Sequence, residues 1–176
     1  MSSISRRIEM ASKHLIEKDY ENALIQISIA IDATSGKKWK NLKVGDRIKN
    51  FIKLYEWFIY RIAMSNCLIM GPKAHIIIKG IELPEIIYKL IRCVFQHGDE
   101  LGDNIIIKEN ENIFGMENNK IIINTGHIYG LLFAVIMEPV NKDELCDDNC
   151  FIYYNNKNIK INKLWGDINK LNLFYF

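Results

Sequence analysis

The sequence lacks the short motifs that mark common nucleotide-binding, hydrolase and metalloprotease sites. It contains no P-loop, no GxGxxG, no GxSxG and no HExxH. Cysteine is scarce, and its spacing forms no disulfide framework, so we expect four free thiols, at Cys67, Cys93, Cys146 and Cys150. The last two cysteines lack a second pair at zinc spacing, and the nearest histidine is His127. We therefore predict no metal site and no cofactor.

Long apolar runs and a strong net charge are also missing. The apolar stretches are broken by charges or are too short to cross a bilayer. The first ten residues are polar and basic, without the apolar segment of a secretory signal. We therefore expect a cytoplasmic protein with no membrane partner. The net charge of +2 does not imply nucleic acid as a partner, which leaves only a local basic patch to bind it.

The 176 residues, 49% hydrophobic and 25% charged, are enough for one domain with a real hydrophobic core. The chain has no internal repeat and no low-complexity linker. We interpret residues 1–176 as a single domain whose helical core covers about 4–140. A β insertion is expected at about 104–124, and a β-hairpin with an aromatic tail at 145–176.

Apolar residues at helical spacing predict the first helices. Residues 4–34 form one or two helices, with a possible break at Lys18–Asp19 because Asp19 is a plausible N-cap. Ser35–Gly36 is expected to end this segment. Basic, loop-like residues 37–45 lead to a helix from Asp46 to Met64. Aromatic side chains on more than one side of that helix indicate cover by the core and by a partner subunit.

Short β-rich runs alternate with helices in the rest of the chain. Residues 65–81 fit either a short strand or a buried helix, and the runs at 104–124 predict a small antiparallel meander. Thr125 is expected to cap a helix over 126–138 that Pro139 ends. Residues 155–158 predict a hairpin turn. The expected fold class is mainly α, a helical bundle with small antiparallel β elements added, which makes it α+β by content.

The stretch from residue 82 to residue 101 predicts an amphipathic helix that begins at Pro84 and stops before Gly98. Arg92 and His97 lie near its end. Five residues correspond to about 140° of rotation, so the two side chains flank the apolar stripe and can still converge on one small site.

An Arg followed after four residues by His on a late helix resembles the motif of the HEPN superfamily. Residues 18–39 look like the opening helix of such domains, and residues 43–53 look like the start of the next. The resemblance covers about residues 5–140. It implies a homodimer that cleaves RNA without a metal, with His97 as base or acid and Arg92 as phosphate clamp. It also implies a toxin or phage-defence role, with an antitoxin or another defence protein as partner.

The sequence departs from that family at two places, and these departures leave a second interpretation open. Cys93 follows the Arg, where many active members have Asn, Asp or His. Asp99 and Glu100 place negative charge beside any phosphate site. The alternative is a catalytically inactive HEPN-like module that dimerises, senses a ligand or binds a partner.

Several other residues are candidates around this site. Asp32 lies among apolar neighbours, where it either pairs with Arg92 and orients it or is a solvated residue near a helix end. Gln96 is a second supporting candidate. The densest basic stretch could follow an RNA backbone, with a solvated loop as the alternative; its candidate contacts are Lys38, Lys40, Lys43 and Arg47.

Overall fold

A computed structural model describes residues 3–64, 77–78, 80–89, 105–109, 113–118 and 120–170. The helices are α1 (Ser3–Ile16), α2 (Tyr20–Lys38), α3 (Val44–Ala63), α4 (83–89) and α5 (Thr125–Met137). The strands are β1 (Ile77–Ile78), β2 (Ile81–Glu82), β3 (Ile105–Lys108), β4 (Gly115–Glu117), β5 (Lys120–Asn124), β6 (Phe151–Tyr154) and β7 (Lys157–Lys160). The fold is mainly α with small sheets, as predicted. Among the described helices, none combines the length and the apolar character that crossing a bilayer requires.

The break between α1 and α2 lies where the sequence predicts it. Lys18 has a φ of 59°, and the Asp19 carboxylate accepts hydrogen bonds from the backbone N–H (3.2 Å) and side-chain amide (2.7 Å) of Asn22. The predicted end at Ser35–Gly36 is wrong, because α2 continues to Lys38. Gly36 keeps a negative φ, and the guanidinium of Arg47 lies against it, so the missing side chain gives room for this contact. The loop is correspondingly shorter, residues 39–43, and α3 begins at Val44.

Helices α3 and α5 approach each other at backbone distance through two glycines of α5. A Cβ added to Gly126 would lie 2.6 Å from the Ala63 Cα, and one added to Gly130 would lie 2.8 Å from the Ile59 Cα. The close approach buries α5 on nearly all sides, so its apolar sequence belongs to the core. The predicted cap at Thr125 is wrong by one residue. Asn124 is the N-cap, because its side-chain oxygen accepts the backbone N–H of His127.

The three strands β3, β4 and β5 form a mixed sheet, so the predicted antiparallel meander is wrong. Their order is β3-β5-β4, with β3 parallel to β5 and β4 antiparallel to it. Ile122 and Ile123 of β5 are buried and the strand continues directly into α5, so β5 takes the central position. The β3 strand pairs with the edge of β5 that β4 leaves open.

The two remaining sheets are hairpins. Strands β1 and β2 pair around Gly80, which has a φ of 78°. Strands β6 and β7 pair through a turn at Asn155 and Asn156, where φ is 48° and 59°. Two consecutive positive φ angles define the turn that matches the twist of a tight hairpin, which confirms the predicted hairpin. The helix predicted from Pro84 begins at residue 83, and its part beyond residue 89 lies outside the described residues.

Candidate functional site: a cleft of tyrosine and asparagine

The central residues of the predicted RNA-cleavage site lie outside the described part of the chain. These residues are Arg92, Gln96 and His97. Their roles stay predictions, carried by the sequence motif alone.

Asp32 forms an ion pair with Arg47 of the next helix, α3. Its Oδ1 accepts hydrogen bonds from the Nη2 (2.5 Å) and Nε (3.2 Å) of Arg47. Both side chains are partly exposed, at 31% and 21%. This ion pair ties α2 to α3 and accounts for the acidic residue that the sequence places among apolar neighbours. The alternative partner proposed for Asp32, Arg92, is not among the described residues.

Lys38 is part of a buried polar cluster. Its Nζ lies 2.8 Å from both carboxylate oxygens of Glu138, a residue that is 1% exposed. The same carboxylate accepts the hydroxyl of Tyr55 at 3.0 Å. Burial, and then the Glu138 charge, raise the pKa of Tyr55 above its usual range. The Tyr55 hydroxyl therefore stays a donor, and the cluster anchors the end of α5 against α2 and α3.

The basic stretch is divided between structural and exposed cations. Lys38 and Arg47 form the ion pairs just described, whereas Lys40 and Lys43 are exposed in the loop before α3. Within the described residues, neither loop lysine has an ion-pair partner. Of the four lysine and arginine residues in the predicted RNA track, Lys40 and Lys43 are thus the two that are exposed and form no ion pair within the described part of the chain.

A cleft with a volume of about 720 Å³ is formed by parts of the chain that are far apart in sequence. Its walls are the end of α1, the start of α2, the end of α3, the start of α5 and the β6–β7 hairpin. Four tyrosines, one phenylalanine and four asparagines line it: Tyr20, Tyr129, Tyr153, Tyr154, Phe151, Asn124, Asn155, Asn156 and Asn158. A concave surface that combines aromatic rings with a few polar groups is typical of a ligand site.

Two of the tyrosines, Tyr129 and Tyr154, pack against each other in the cleft. The rings of Tyr129 and Tyr154 have centroids 5.1 Å apart, and Tyr154 also packs edge-on against Phe133 at 5.6 Å. Burial raises the pKa of Tyr129 to about 12 and raises that of Tyr154 as well. Burial also raises the pKa of Tyr20, with a smaller effect from Glu109. At neutral pH these phenols remain protonated, so each can donate and accept a hydrogen bond.

Two side chains that line the cleft cap the end of α3. The Asn124 amide donates to the carbonyl oxygen of Ala63 at 2.8 Å, and the Tyr154 hydroxyl donates to that of Ile62 at 3.4 Å. Carbonyl groups in the last turn of a helix have no partner inside the helix, so these two bonds satisfy them. Both bonds fix α5 and the β6–β7 hairpin relative to α3.

The rim carries the groups that remain exposed. Tyr153 is 51% exposed, and its hydroxyl donates to the Asn156 side chain at 3.1 Å. Asn158 is exposed, and its side chain has no hydrogen-bond partner in the described part of the chain. Among the described residues that line the cleft, the charged ones are Lys18 and Glu109, whose charged atoms lie 3.7 Å apart. A ligand would therefore meet rings and amides before it met a net charge.

Sequence reasoning missed this cleft. It identified the hairpin and took the aromatic residues of the tail as a sign of a large interface, but it assigned them no ligand-binding role. The available signal was the run Tyr153-Tyr154-Asn155-Asn156, which puts rings and amides together on one tight hairpin. The other walls come from several earlier segments of the chain, two of which, the end of α1 and the start of α2, lie more than a hundred residues before the hairpin, and no spacing rule joins them.

A metal centre is not found in the part of the chain that the structure describes, where no three His, Cys, Asp or Glu residues form a group able to hold an ion. Cys146 and Cys150 are instead buried free thiols beside α1.

Comparison with known proteins places the chain in a family. The family model described as Rv1289 matches residues 3–174. No curated protein and no solved structure matches the chain. The matching description names no activity and does not mention the HEPN superfamily, so that resemblance remains a prediction. Because the match covers nearly the whole chain, this protein belongs to the Rv1289 family.

Proposed function

We propose that the protein is a ligand-binding module whose cleft takes a nucleobase, presented either by a free nucleotide or by single-stranded RNA. The observation that carries this proposal is the combination of tyrosine rings and asparagine amides on one concave surface. The proposal develops the second interpretation of the sequence, in which the domain senses a ligand or binds a partner.

The chemistry of a nucleobase matches the lining of the cleft. Every base has a flat π-face that stacks on aromatic side chains, and its edge offers donors and acceptors that amides can meet. Tyr153 provides an accessible ring, and Asn158 provides an accessible amide beside it. The Lys18–Glu109 pair adds no net charge, so we expect recognition of the base to outweigh recognition of the phosphate.

The test is a titration of the purified protein with labelled single-stranded RNA and, separately, with nucleoside monophosphates. We expect Tyr153→Ala to weaken binding about tenfold, or ~1.4 kcal/mol, because stacking one base on an aromatic ring contributes 1–3 kcal/mol. Tyr153→Phe keeps the ring and should bind almost normally. Asn158→Ala should weaken binding, whereas Asn50→Ala, an exposed asparagine of α3 outside the cleft, should not.

The two sources of the base are separated by the same experiment. Binding of monophosphates with an affinity similar to that of RNA would assign a free nucleotide, whereas binding of RNA alone would assign a strand. The absence of binding by both ligands, or equal affinities for Tyr153→Ala and wild type, would refute the proposal.

A second candidate is the metal-independent endoribonuclease of the HEPN type, with a toxin or defence role. The Arg-x4-His motif supports it, since a histidine side chain can move a proton near neutral pH and an arginine offers a planar fork to phosphate, which are the roles predicted for His97 and Arg92. In this candidate a homodimer brings two Arg92–His97 pairs together in one shared active site. An antitoxin or another defence protein controls the nuclease activity.

The nuclease candidate predicts RNA cleavage in the presence of EDTA by wild type and its loss in His97→Ala, with a dimer mass by light scattering. Arg92→Lys keeps the charge without the fork and should cleave more slowly than wild type. Cleavage by His97→Ala at the wild-type rate, or dependence on a divalent metal, would refute this candidate without affecting the base-binding proposal.

A further inference from the structure

A lysine and a glutamate lie next to each other in the lining of the cleft. The Lys18 Nζ is 3.7 Å from the Glu109 Oε2, and the two side chains are 71% and 45% exposed. At this distance the pair is held by charge and not by a hydrogen bond. Exposed pairs of this kind contribute little to stability. The ammonium and the carboxylate can therefore both turn to a ligand at small cost.

The backbone fixes the place from which each of the two side chains starts. Lys18 lies in the break between α1 and α2, where its N–H donates to the carbonyl three residues earlier at 3.2 Å. Glu109 follows directly after β3, whose last residue, Lys108, pairs with the cleft residue Asn124 of β5. After the larger effect of burial, the Glu109 charge also raises the pKa of Tyr20, another lining residue. Two separate segments thus bring the two charges to one place in the cleft.

The pair offers one hydrogen-bond donor beside two acceptors. An ammonium group only donates, and a carboxylate only accepts, through both of its oxygens. The other polar side chains that are described in the lining carry amides and hydroxyl groups, which can each donate or accept. Lys18 and Glu109 are therefore the part of the described lining whose hydrogen-bond pattern is fixed.

Guanine is the base whose Watson–Crick edge matches this pattern best. Its O6 is an acceptor, and its N1–H and N2–H are two neighbouring donors. Adenine and cytosine offer a single donor group on that edge, and uracil offers its one donor between two acceptors. Each of these three bases thus leaves one carboxylate oxygen unpaired. Since hydrogen bonds to a carboxylate are stronger than those between neutral groups, the base that uses both oxygens should bind most tightly.

We propose that the cleft prefers guanine, with Glu109 accepting the N1–H and N2–H of the base and Lys18 donating to its O6. At a separation of 3.7 Å, the Lys18 Nζ and the Glu109 Oε2 can meet the neighbouring O6 and N1 at the same time. The guanine preference rests on the proposed function, because it assigns the specificity of a cleft that binds a nucleobase. Lys18 and Glu109 are thus specificity-determining residues, whereas Tyr153 provides the stacking surface.

The test compares guanosine, inosine, adenosine, cytidine and uridine monophosphates in titrations of the full chain. Wild type should bind the guanosine nucleotide more than tenfold more tightly than the adenosine, cytidine and uridine nucleotides. Inosine keeps the O6 and N1–H of guanosine but lacks its amino group, and the loss of one hydrogen bond to a charged group should weaken binding about tenfold. The same five bases, each placed at the centre of a short oligouridylate, make the comparison for a strand.

Glu109→Gln tests the carboxylate with almost no change in shape. The glutamine amide offers one acceptor beside one donor, a pattern that suits adenine and not guanine. The variant should bind the guanosine nucleotide about tenfold more weakly than wild type, and the adenosine nucleotide at least as tightly. A merely structural role for Glu109 would weaken both nucleotides equally. Glu117 is an exposed residue of β4 outside the cleft lining, so Glu117→Gln is the matched control and should change neither affinity.

Lys18→Gln tests the donor to O6. The variant should weaken binding of the guanosine and inosine nucleotides by a similar factor, because both bases carry this oxygen, and should affect the adenosine nucleotide least. Lys13→Gln, at an exposed lysine of α1 outside the cleft lining, should change none of the affinities. Equal weakening of all nucleotides by Lys18→Gln would place Lys18 at the phosphate and overturn its contact with the base.

The outcomes distinguish the guanine preference from the proposed function. Equal binding of all five nucleotides, weakened alike by Tyr153→Ala, would leave the base-binding cleft in place and overturn the preference. An undiminished preference for guanine in Glu109→Gln would overturn the role of the carboxylate. The absence of binding to every nucleotide and every strand would refute both proposals at once.

Discussion

The buried carboxylate of Glu138 depends on a single lysine for its counter-charge among the described residues. Lys38 reaches it with two contacts of 2.8 Å, and Tyr55 adds a hydrogen bond. Removing one partner of a buried ion pair leaves a charge without compensation, which typically costs about 3–5 kcal/mol. Because the Lys38 side chain is 28% exposed, we expect the lower part of this effect.

Lys38→Met should therefore lower the free energy of unfolding by about 3 kcal/mol, measured by urea denaturation at neutral pH. Lys40→Met is the matched control, since Lys40 is exposed in the following loop, and its effect should stay within about 0.5 kcal/mol. Equal stabilities of the two variants would show that the Glu138 cluster does not anchor α5.

His127 gives the protein a predictable sensitivity to acid. The ring is completely buried between Phe114 and Tyr60, and burial lowers its pKa to about 3. In the unfolded chain the pKa is about 6.5, so below pH 6.5 the unfolded state binds a proton that the folded state does not. The free energy of unfolding that is present above pH 6.5 therefore falls by about 1.4 kcal/mol for each pH unit as the pH is lowered from 6.5 toward 3.

We expect the free energy of unfolding to fall by about 2 kcal/mol between pH 6.5 and pH 5 because of His127 alone. The variant His127→Gln removes the titration but retains a side chain that suits the third position of a capping box. Its stability should change less over the same pH range, whatever its absolute value. Parallel pH curves for the two proteins would show that His127 is not the group that responds to acid.

At the scale of the elements, Gly130 decides how closely α5 can pack on α3. Its Cβ position lies 2.8 Å from the Ile59 Cα and 2.9 Å from the Ile59 carbonyl oxygen, and backbone atoms cannot rotate away. Gly130→Ala should destabilise the protein by about 1–3 kcal/mol, because overpacking exceeds the gain in helix propensity. Thermal unfolding followed by circular dichroism measures the change.

Gly36→Ala is the control for that substitution. Gly36 also lies inside a helix, but its nearest neighbours are guanidinium atoms of Arg47, at the end of a flexible side chain. Here the helix propensity of alanine should prevail, so the variant should be neutral or more stable by up to about 1 kcal/mol. If both variants lost the same stability, backbone contact at Gly130 would not be the cause.

The same elements show what local sequence determines and what it does not. The α1–α2 break and the β6–β7 turn were predictable because the residues that form them act locally. Asp19 accepts the backbone N–H of Asn22, three residues later, and Asn155 and Asn156 adopt the positive φ angles of the turn. The end of α2 and the order β3-β5-β4 were not, because each depends on a distant partner. Arg47 of α3 lies against Gly36 near the end of α2. Strand β3 pairs with β5 and not with β4, the next strand in sequence.

At the scale of the whole molecule, the same dependence on distant partners explains why the candidate site was not predicted. The cleft combines α1, α2, α3, α5 and the β6–β7 hairpin, and this combination leaves no spacing pattern in the chain. Motif reasoning instead selected Arg92 and His97, which lie close together in sequence and outside the described residues.

The packing predicts that different elements of the molecule unfold at different free energies. Helix α5 is buried along most of its length against α3, whereas alternate residues of β6 and most of β7 are exposed. Amides of α5 should therefore exchange with solvent only when the whole protein unfolds, and those of the hairpin should exchange through local opening at lower free energy. Native-state hydrogen exchange resolved by peptide would measure both.

Gly130→Ala makes this prediction specific. If α5 exchanges by global unfolding, the variant should accelerate exchange of α5 by the factor that its loss of stability requires, about tenfold for 1.4 kcal/mol. The hairpin amides should be almost unaffected, because their local opening does not separate α3 from α5. Equal acceleration in both elements would mean that the β6–β7 hairpin opens only when the core unfolds. A ligand could then not enter the cleft through local opening of the hairpin.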